Sequence, residues 1–149
     1  MKKKDRLAKI IDIINTQEIE THEDLQAALA TLGLETAQST LSRDIRELHL
    51  IKVKNAQGRT VYTQAEKNNQ EIRLKETVAM YVHSLSRVEF MLVLKTEIST
   101  ADILASVIDE MDLPEILGTI AGADTLMIAT KSAADGERLE KQLLEILEI

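Results

Sequence analysis

Cysteine is absent from this 149-residue chain, so neither a disulfide framework nor a thiolate metal site is available to it. No apolar run approaches the roughly 18 residues of a membrane span. The lysine-rich start leads into a periodic helical pattern rather than the apolar core of a signal peptide. We therefore expect a cytoplasmic location and no membrane partner.

Catalytic and metal-binding motifs are also lacking. The three histidines, His22, His49 and His83, are scattered without ligand spacing, which argues against a metal site. No serine lies in a Gly-x-Ser-x-Gly elbow. The stretch Gly118-Thr-Ile-Ala-Gly122 has neither the Lys-Ser/Thr of a P-loop nor three-glycine dinucleotide spacing. We expect a protein that is not an enzyme and that holds no metal or cofactor.

Basic charge is scarce, and its distribution is uneven. The net charge of −7 argues against a general nucleic-acid binder. However, residues 1–63 carry ten Lys or Arg against nine Asp or Glu, whereas residues 64–149 carry eight against sixteen. The near-neutral first part can still bind phosphates locally, in a salt-sensitive way, through the basic residues at its start: Lys2, Lys3, Lys4, Arg6 and Lys9.

The polar run Gln64-Ala-Glu-Lys-Asn-Asn-Gln70 has no apolar periodicity and is typical of a linker. It predicts a domain at 1–64, a linker at 65–70 and a second domain at 71–149. Cores of this size are marginally stable alone, so we expect one part to oligomerise.

The segment 36–48 carries the clearest functional pattern. At about 100° per residue, its apolar residues Ala37, Leu41, Ile45 and Leu48 form one arc of a helix. An adjoining arc, called here the polar stripe, is free of acids and consists of Gln38, Ser39, Ser42, Arg43 and Arg46, with Asp44 and Glu47 off it. Such groups read base edges and phosphates in a major groove. The alternative is an ordinary amphipathic surface helix.

Two further helices are predicted before this segment. The first runs from about 3 to 15 and buries Leu7, Ile10, Ile11 and Ile14. The second follows a Thr21 cap, ends at Gly33 and buries Leu25, Ala28, Leu29 and Leu32. With Thr36 as a cap for the third helix, this order is that of a helix-turn-helix whose last helix enters the groove.

A hairpin is predicted after the third helix. The β-rich segments 50–54 and 59–63 flank the turn-forming stretch Asn55-Ala-Gln-Gly58. A hairpin in this place is the wing of a winged helix, and Lys52, Lys54 and Arg59 could meet phosphates there. Alternatively, these residues are solvated edge-strand charges that discourage aggregation.

The second half reads as α+β. Helices are predicted at about 71–82, 100–111 and 133–149. Strands are predicted at 87–96, 116–120 and 126–130, with Gly122-Ala-Asp124 between the last two. The predicted apolar faces are Val88, Phe90, Leu92 and Leu94 in the first strand, Ile103, Leu104, Val107, Ile108 and Met111 in the middle helix, and Leu139, Leu143 and Leu147 in the last.

An acidic group accompanies this pattern. Asp102 and Asp109 share a helix face, and Asp124 lies on the glycine-bordered turn. Such carboxylates can hold a cationic small molecule through charge-assisted hydrogen bonds. The alternative is that all three are simply solvated.

Over nearly its full length, the chain resembles the bacterial arginine repressors. Ser42-Arg-Asp-Ile-Arg-Glu-Leu-His-Leu-Ile-Lys-Val53 is similar to the family's recognition helix and following strand, and Ile116-Leu-Gly-Thr-Ile-Ala-Gly-Ala-Asp-Thr125 to its glycine turn. The resemblance implies a winged-helix domain joined to an α/β domain that trimerises, and two trimers stacked into a hexamer with six L-arginine sites. It also implies palindromic operator DNA near arginine genes, with Ser42 and Arg43 contacting bases beside Gln38 and Ser39.

The effector residues implied by the resemblance match incompletely. Asp109 and Asp124 correspond to family aspartates that hold the ligand, but Ala123 replaces the first aspartate of the adjacent pair, and Asp102 stands where glutamine is common. Losing such a carboxylate removes roughly 1.5 to 3 kcal/mol of charge-assisted hydrogen bonding. Three alternatives follow. The first is an arginine sensor with a retuned pocket, and the second is a regulator with weak or no arginine response, with or without a paralogous subunit. The third is a pure oligomerisation and scaffold module, or a recombination accessory factor that wraps DNA instead of controlling transcription.

Overall fold

The computed structural model describes residues 2–148, and the chain divides into two compact units, Met1–Asn68 and Asn69–Ile149. The first unit contains helices α1 (Lys3–Thr16), α2 (His22–Thr31) and α3 (Gln38–Glu47), followed by strands β1 (Leu50–Lys54) and β2 (Thr60–Gln64). Helix α4 (Ala65–Tyr81) begins immediately after β2. Three helices and a hairpin in this order confirm the predicted winged-helix architecture.

The core of the first unit is built from the apolar faces of its three helices. Its buried residues are Ile10, Ile13, Ile14, Ile19, Leu25, Leu29, Leu41, Ile45, Leu50 and Tyr62. Leu7, Ile11 and Ala28 are only partly buried. The prediction that Leu32 is buried was wrong: it caps the end of α2, where the chain leaves the helix, and is 51% exposed.

Both ends of α2 are closed by local hydrogen bonds. As predicted, the Thr21 hydroxyl accepts from the Asp24 N–H at 3.1 Å, and the Asp24 carboxylate accepts from the Thr21 N–H, which completes a capping box. At the other end, Gly33 has a φ of 77°, and the Leu34 N–H donates to the Leu29 carbonyl at 3.0 Å. This Schellman closure turns the chain sharply toward α3.

The start of α3 differs from the prediction. Ala37 is the N-cap residue, and no side chain caps the helix. Thr36 is buried instead, and its carbonyl accepts a 2.7 Å hydrogen bond from the Gln26 Nε2, which ties α2 to the residue before the cap. The helix-turn-helix is therefore closed by a bond from α2 rather than by a threonine cap.

The hairpin pairs β1 and β2 antiparallel, from Leu50 opposite Gln64 to Lys54 opposite Thr60. Its second strand begins one residue later than predicted. In the turn, Gly58 has a φ of 78°, and the Asn55 carboxamide oxygen accepts from the Arg59 N–H. The Tyr62 N–H donates to the Ile19 carbonyl at 2.8 Å, so the hairpin is anchored on the segment between α1 and α2.

The second unit forms a four-stranded antiparallel sheet in the order β3-β4-β6-β5. Its strands are β3 (Val82–Val88), β4 (Met91–Thr96), β5 (Ile116–Ala121) and β6 (Thr125–Thr130), and its further helices are α5 (Ala101–Glu110) and α6 (Ala133–Leu147). Helices α5 and α6 pack on the sheet. The buried core includes Val78, Leu92, Leu94, Leu104, Ile108, Leu126, Ile128, Leu139 and Leu143. The predicted α+β class is confirmed.

Two segments of this half differ from their predictions. The segment 87–96, expected to be a single strand, contains the last two residues of β3, a turn at Glu89 and Phe90, and β4. Glu89 takes a left-handed φ of 50° in this turn, and Val88 and Phe90 are 72% and 45% exposed. The run 65–70, predicted to be a linker from its lack of apolar periodicity, is helical and forms the first turns of α4. Ile103, placed on the apolar face of α5, is 43% exposed. Within residues 2–148, no helix is long and apolar enough to cross a membrane.

Candidate nucleic-acid interface and acidic turn

The polar stripe lies on the outer face of α3. Leu41 and Ile45 turn into the core, whereas Gln38, Ser39, Arg43 and Arg46 are exposed and Ser42 is half-buried. No stripe side chain forms a hydrogen bond or ion pair with another side chain of residues 2–148. The donors and acceptors of the stripe are therefore free for an outside partner, as groove recognition requires.

One acid on the same helix is buried. Asp44, which the helical pattern placed simply off the stripe, is 1% exposed and accepts two hydrogen bonds from Arg6 of α1: Nε to Oδ2 at 2.6 Å and Nη2 to Oδ1 at 3.0 Å. The hydrogen bond to Asp44 raises the pKa of the Arg6 guanidinium above its usual value. The position of Asp44 beside Ile45, at the border of the apolar arc, was the available signal of burial.

The basic residues at the start of the chain take different places. Lys3 pairs with Glu47 at 2.7 Å, and Arg6 is held by Asp44. Lys2 and Lys4 are exposed, and Lys9 is half-buried. Arg6 is therefore engaged by the buried Asp44, while Lys2 and Lys4 are open to solvent.

The three wing cations also differ from one another. Lys52 lies 5.1 Å from the centroid of the Tyr62 ring, a cation-π contact that leaves the ammonium exposed. Lys54 is exposed, but Arg59 is bound by Glu18 and Glu20, each at 2.9 Å. Lys52 and Lys54 can meet phosphates directly, whereas Arg59 holds the wing against the segment before α2.

Tyr62 is the buried tyrosine of the hairpin. Burial, and secondarily the charge of Glu23, raises the pKa of the Tyr62 phenol.

The predicted effector aspartates lie around α5 and β5. Asp109 of α5 accepts a 2.8 Å hydrogen bond from the Thr119 hydroxyl of β5, and Asp102 is in the first turn of α5. Asp124 accepts from the Thr125 hydroxyl at 2.8 Å, and its Oδ1 is 3.8 Å from the Lys95 ammonium. All three aspartates are exposed, and within residues 2–148 no group of His, Cys, Asp or Glu side chains is placed to hold a metal ion.

The turn that carries Ala123 is docked through its backbone. The Ser99 N–H donates to the Ala123 carbonyl at 2.7 Å, and the Thr96 N–H donates to the Asp124 carbonyl at 2.8 Å. Ser99 adopts a φ of 66° to make this contact. The Ala123 side chain is exposed, so its position is open to a larger residue. The turn therefore sits on the segment that leads into α5, whose first turn contains Asp102.

A helix-turn-helix whose last helix presents an unpaired polar stripe, followed by a hairpin with exposed lysines, defines a DNA-binding protein of the winged-helix class. Comparison with known protein families identifies the branch. Residues 1–70 match the model described as "Arginine repressor, DNA binding domain", and residues 78–145 match "Arginine repressor, C-terminal domain". The chain belongs to the arginine repressor family.

Similar proteins cover almost the whole chain. An "Arginine repressor" of Enterococcus faecalis is 38% identical over 146 residues, which cover 96% of this chain and 97% of the relative. An "Arginine repressor" of Streptococcus pyogenes serotype M6 is 40% identical over 143 residues, 96% and 97% of the two chains. An "Arginine regulator" of Lactiplantibacillus plantarum is 38% identical over 141 residues, 93% and 92% of the two chains.

These comparisons confirm the resemblance read from the two motifs. The protein is a DNA-binding transcriptional regulator of a family that acts in arginine metabolism, and its relatives are named as repressors or regulators rather than enzymes.

Proposed function

We propose that this chain works as a hexameric regulator of arginine metabolism, with L-arginine as its co-effector. The observation that carries the proposal is the polar stripe of α3, because it offers two guanidinium groups and three polar side chains with no partner among residues 2–148. The ligand and the hexamer rest on family membership and on the features of the second unit discussed below.

In this proposal, Ser42 and Arg43 contact base edges, with Gln38 and Ser39 beside them. Arg46, Lys52 and Lys54 contact phosphates and fix the register of the protein on the duplex. A phosphate contact by Arg59 would require it to release two ion pairs. Its proposed role is therefore to hold the wing.

The DNA contacts are tested with Arg43→Ala. The binding probe is a duplex selected by the purified wild-type protein from a random-sequence library, compared with a shuffled duplex of the same composition. One bidentate arginine-guanine contact is worth about 1 to 3 kcal/mol of discrimination, so specific affinity should fall roughly 5- to 150-fold per contact. Affinity for the shuffled duplex should change much less.

Arg138→Ala is the matched control, since Arg138 is an exposed arginine in α6 and its loss changes net charge equally. It should keep the selectivity of the wild type. Sequence-specific binding that survives Arg43→Ala would show that the stripe has been assigned the wrong contact.

The effector site is supported by two exposed carboxylates: Asp109, bonded to Thr119 of β5, and Asp124, on the turn whose backbone is anchored through the carbonyls of Ala123 and Asp124. Each carboxylate can accept charge-assisted hydrogen bonds from a guanidinium or ammonium group. The alanine and the nearby Lys95 ammonium both lower the negative charge available to a cationic ligand.

Calorimetric titration of L-arginine tests this site. The wild type should bind, Ala123→Asp should bind about tenfold to a hundredfold more tightly, and Asp109→Asn should bind more weakly. No heat from the wild type combined with clear binding by Ala123→Asp would overturn arginine sensing by this chain alone. That result would support the second candidate, a regulator that needs a paralogous subunit to supply the carboxylate, which Ala123 favours.

Self-association is supported by the sheet face that points away from α5 and α6. Met127 and its partner Ile120 alternate with the buried residues Leu126 and Ile128, so they lie on the opposite face. Ile120 is 74% exposed. An apolar face of this kind is typical of an interface.

Sedimentation velocity tests self-association. The wild type should sediment as trimers or hexamers, and Ile120→Lys should shift the protein toward smaller species. A wild-type monomer at micromolar concentration would contradict the proposal.

A further inference from the structure

A buried ion pair connects the first and third helices of the DNA-binding unit. Asp44 is almost fully buried, its two carboxylate oxygens are both used by Arg6, and the Arg6 side chain is itself 21% exposed. One helical turn away, Lys3 and Glu47 form a second pair between the same helices, with 60% and 47% of their side chains exposed. On each helix the two paired residues are three positions apart: Lys3 and Arg6 on α1, and Asp44 and Glu47 on α3.

Stability alone is a weak reason for the buried pair. Taking the Asp44 carboxylate out of water costs several kcal/mol, and well-packed apolar residues of similar volume often stabilise a core as well as a buried ion pair or better. A bidentate pair does, however, have strict geometry, because the planar guanidinium fixes the direction of both hydrogen bonds. The pair therefore defines the rotation of α3 about its axis more sharply than apolar contacts do.

That rotation matters for the stripe. Asp44 directly follows Ser42 and Arg43 in the helix, so any turn of α3 moves all three together. Side chains reach about 5 to 6 Å from a helix axis, and a rotation of 10° displaces their ends by about 1 Å. A hydrogen bond of about 2.9 Å to a base edge does not survive a displacement of that size.

We propose that Arg6 and Asp44 are positioning residues for DNA recognition: they do not touch DNA but hold α3 at the rotation in which Ser42 and Arg43 face the base edges. The inference rests on the proposed role of the stripe. Helix α1 thereby contributes to sequence selectivity through Arg6. The exposed pair Lys3–Glu47, one turn away, has no such role.

The test is Arg6→Lys in the full-length protein, because lysine keeps the charge opposite Asp44 but cannot form the two parallel bonds. The measurements are affinity for the selected duplex, affinity for the shuffled duplex, and thermal unfolding by circular dichroism. The ratio of the two affinities should fall roughly tenfold, with non-specific affinity and unfolding temperature close to wild type. Asp44→Asn, which is nearly isosteric, should lower the ratio similarly.

Glu47→Gln is the matched control, since it breaks the exposed pair between the same helices. It should leave the affinity ratio within about twofold of wild type. Arg6→Met adds a salt titration: a positioning residue leaves the slope of log K against log salt unchanged, whereas a lost phosphate contact reduces it by about 0.9. If Arg6→Met does not fold, Arg6→Lys and Asp44→Asn still decide the question.

A wild-type affinity ratio in Arg6→Lys would overturn the inference, and so would a reduced salt slope in Arg6→Met. Arg43→Ala, measured in the same assays, separates a failure of the positioning role from a failure of the proposed DNA contacts. If Arg43→Ala loses selectivity and Arg6→Lys keeps it, the stripe is correct and only the positioning role fails. If Arg43→Ala keeps selectivity, the proposed contact surface itself is wrong.

Discussion

Replacing Gly136 by alanine should destabilise the second unit, because α6 touches the sheet at this residue. An added Cβ would lie 2.7 Å from the Glu89 carbonyl oxygen, 3.2 Å from the Thr130 hydroxyl oxygen and 3.3 Å from the Phe90 Cα. Two of these obstacles are backbone atoms of the β3–β4 turn, so α6 must move away from the sheet. Overpacking of this kind costs about 1 to 3 kcal/mol. Because the nearest obstacle is a backbone atom, the cost should lie in the upper part of this range, about 2 to 3 kcal/mol. Alanine returns roughly 1 kcal/mol through its better helix propensity, which leaves a net loss of about 1 to 2 kcal/mol.

The assay is thermal unfolding followed by circular dichroism at equal protomer concentration, since association raises apparent stability. For a unit of this size, 1 kcal/mol corresponds to about 4 to 8 °C, so the midpoint should fall by roughly 5 to 15 °C. Glu137→Ala, at the exposed neighbouring position of α6, should stay within about 0.5 kcal/mol of wild type. An unchanged or higher midpoint for Gly136→Ala would refute the close packing of α6 on the turn.

Three further predictions concern backbone strain, pH and the wing. Ser99→Gly should raise the free energy of unfolding by roughly 0.5 to 1 kcal/mol in urea titrations, because Ser99 holds a left-handed φ of 66°; a loss of stability would contradict this. Burial raises the pKa of Tyr62 in the folded state above the value of about 10 that tyrosine has in the unfolded chain. The contribution of Tyr62 to the free energy of unfolding should therefore be fully present below a pH of about 10 and be lost as the pH rises beyond it. Tyr62→Phe should reduce that fall in urea unfolding at increasing pH, and an identical decline in both proteins would exclude Tyr62 as its source. Lys54→Ala should reduce the salt slope of DNA binding by about 0.9 per protomer in contact; Arg59→Ala should instead lower affinity with little change in slope, and equal slope changes would show that Arg59 also meets phosphates.

Sequence periodicity was sufficient where local signals agree. The cap at Thr21, the Gly33 closure and the apolar spacing of Leu25 and Leu29 all indicate the same helix, and the structure has it. The hairpin at Asn55–Gly58 is equally well marked, because asparagine and glycine are ordinary turn residues. In these segments the local preference and the final fold coincide.

The errors came from segments without such signals. The β3–β4 turn contains neither glycine, proline nor asparagine, and Glu89 takes a left-handed conformation that few glutamates adopt. The predicted strand at 87–96 therefore ran through the turn, and most of β3 was missed. Likewise, the run from 65 to 70 has no apolar residue on a helical repeat, so its helix could not be recognised from periodicity.

The candidate site shows the same division. The exposed stripe followed from the angular position of each residue on α3, which is a local property. The partners of Asp44 and Arg59 did not, because Arg6 and Asp44 are 38 residues apart and Arg59 and Glu18 are 41 apart in the chain. Ion pairs between distant residues depend on tertiary packing, which hydrophobic spacing does not encode.

The separation of roles on α3 has a consequence for how operator preference can change over time. Leu41, Asp44 and Ile45 hold the helix in the protein, whereas the stripe side chains form no hydrogen bond or ion pair with another side chain of residues 2–148. Under the proposed role of the stripe, substitutions there alter the DNA sequence that is recognised and leave the free energy of folding nearly unchanged. Paralogues that share one scaffold can acquire different sets of target genes through a few exposed codons, while the buried positions stay under constraint.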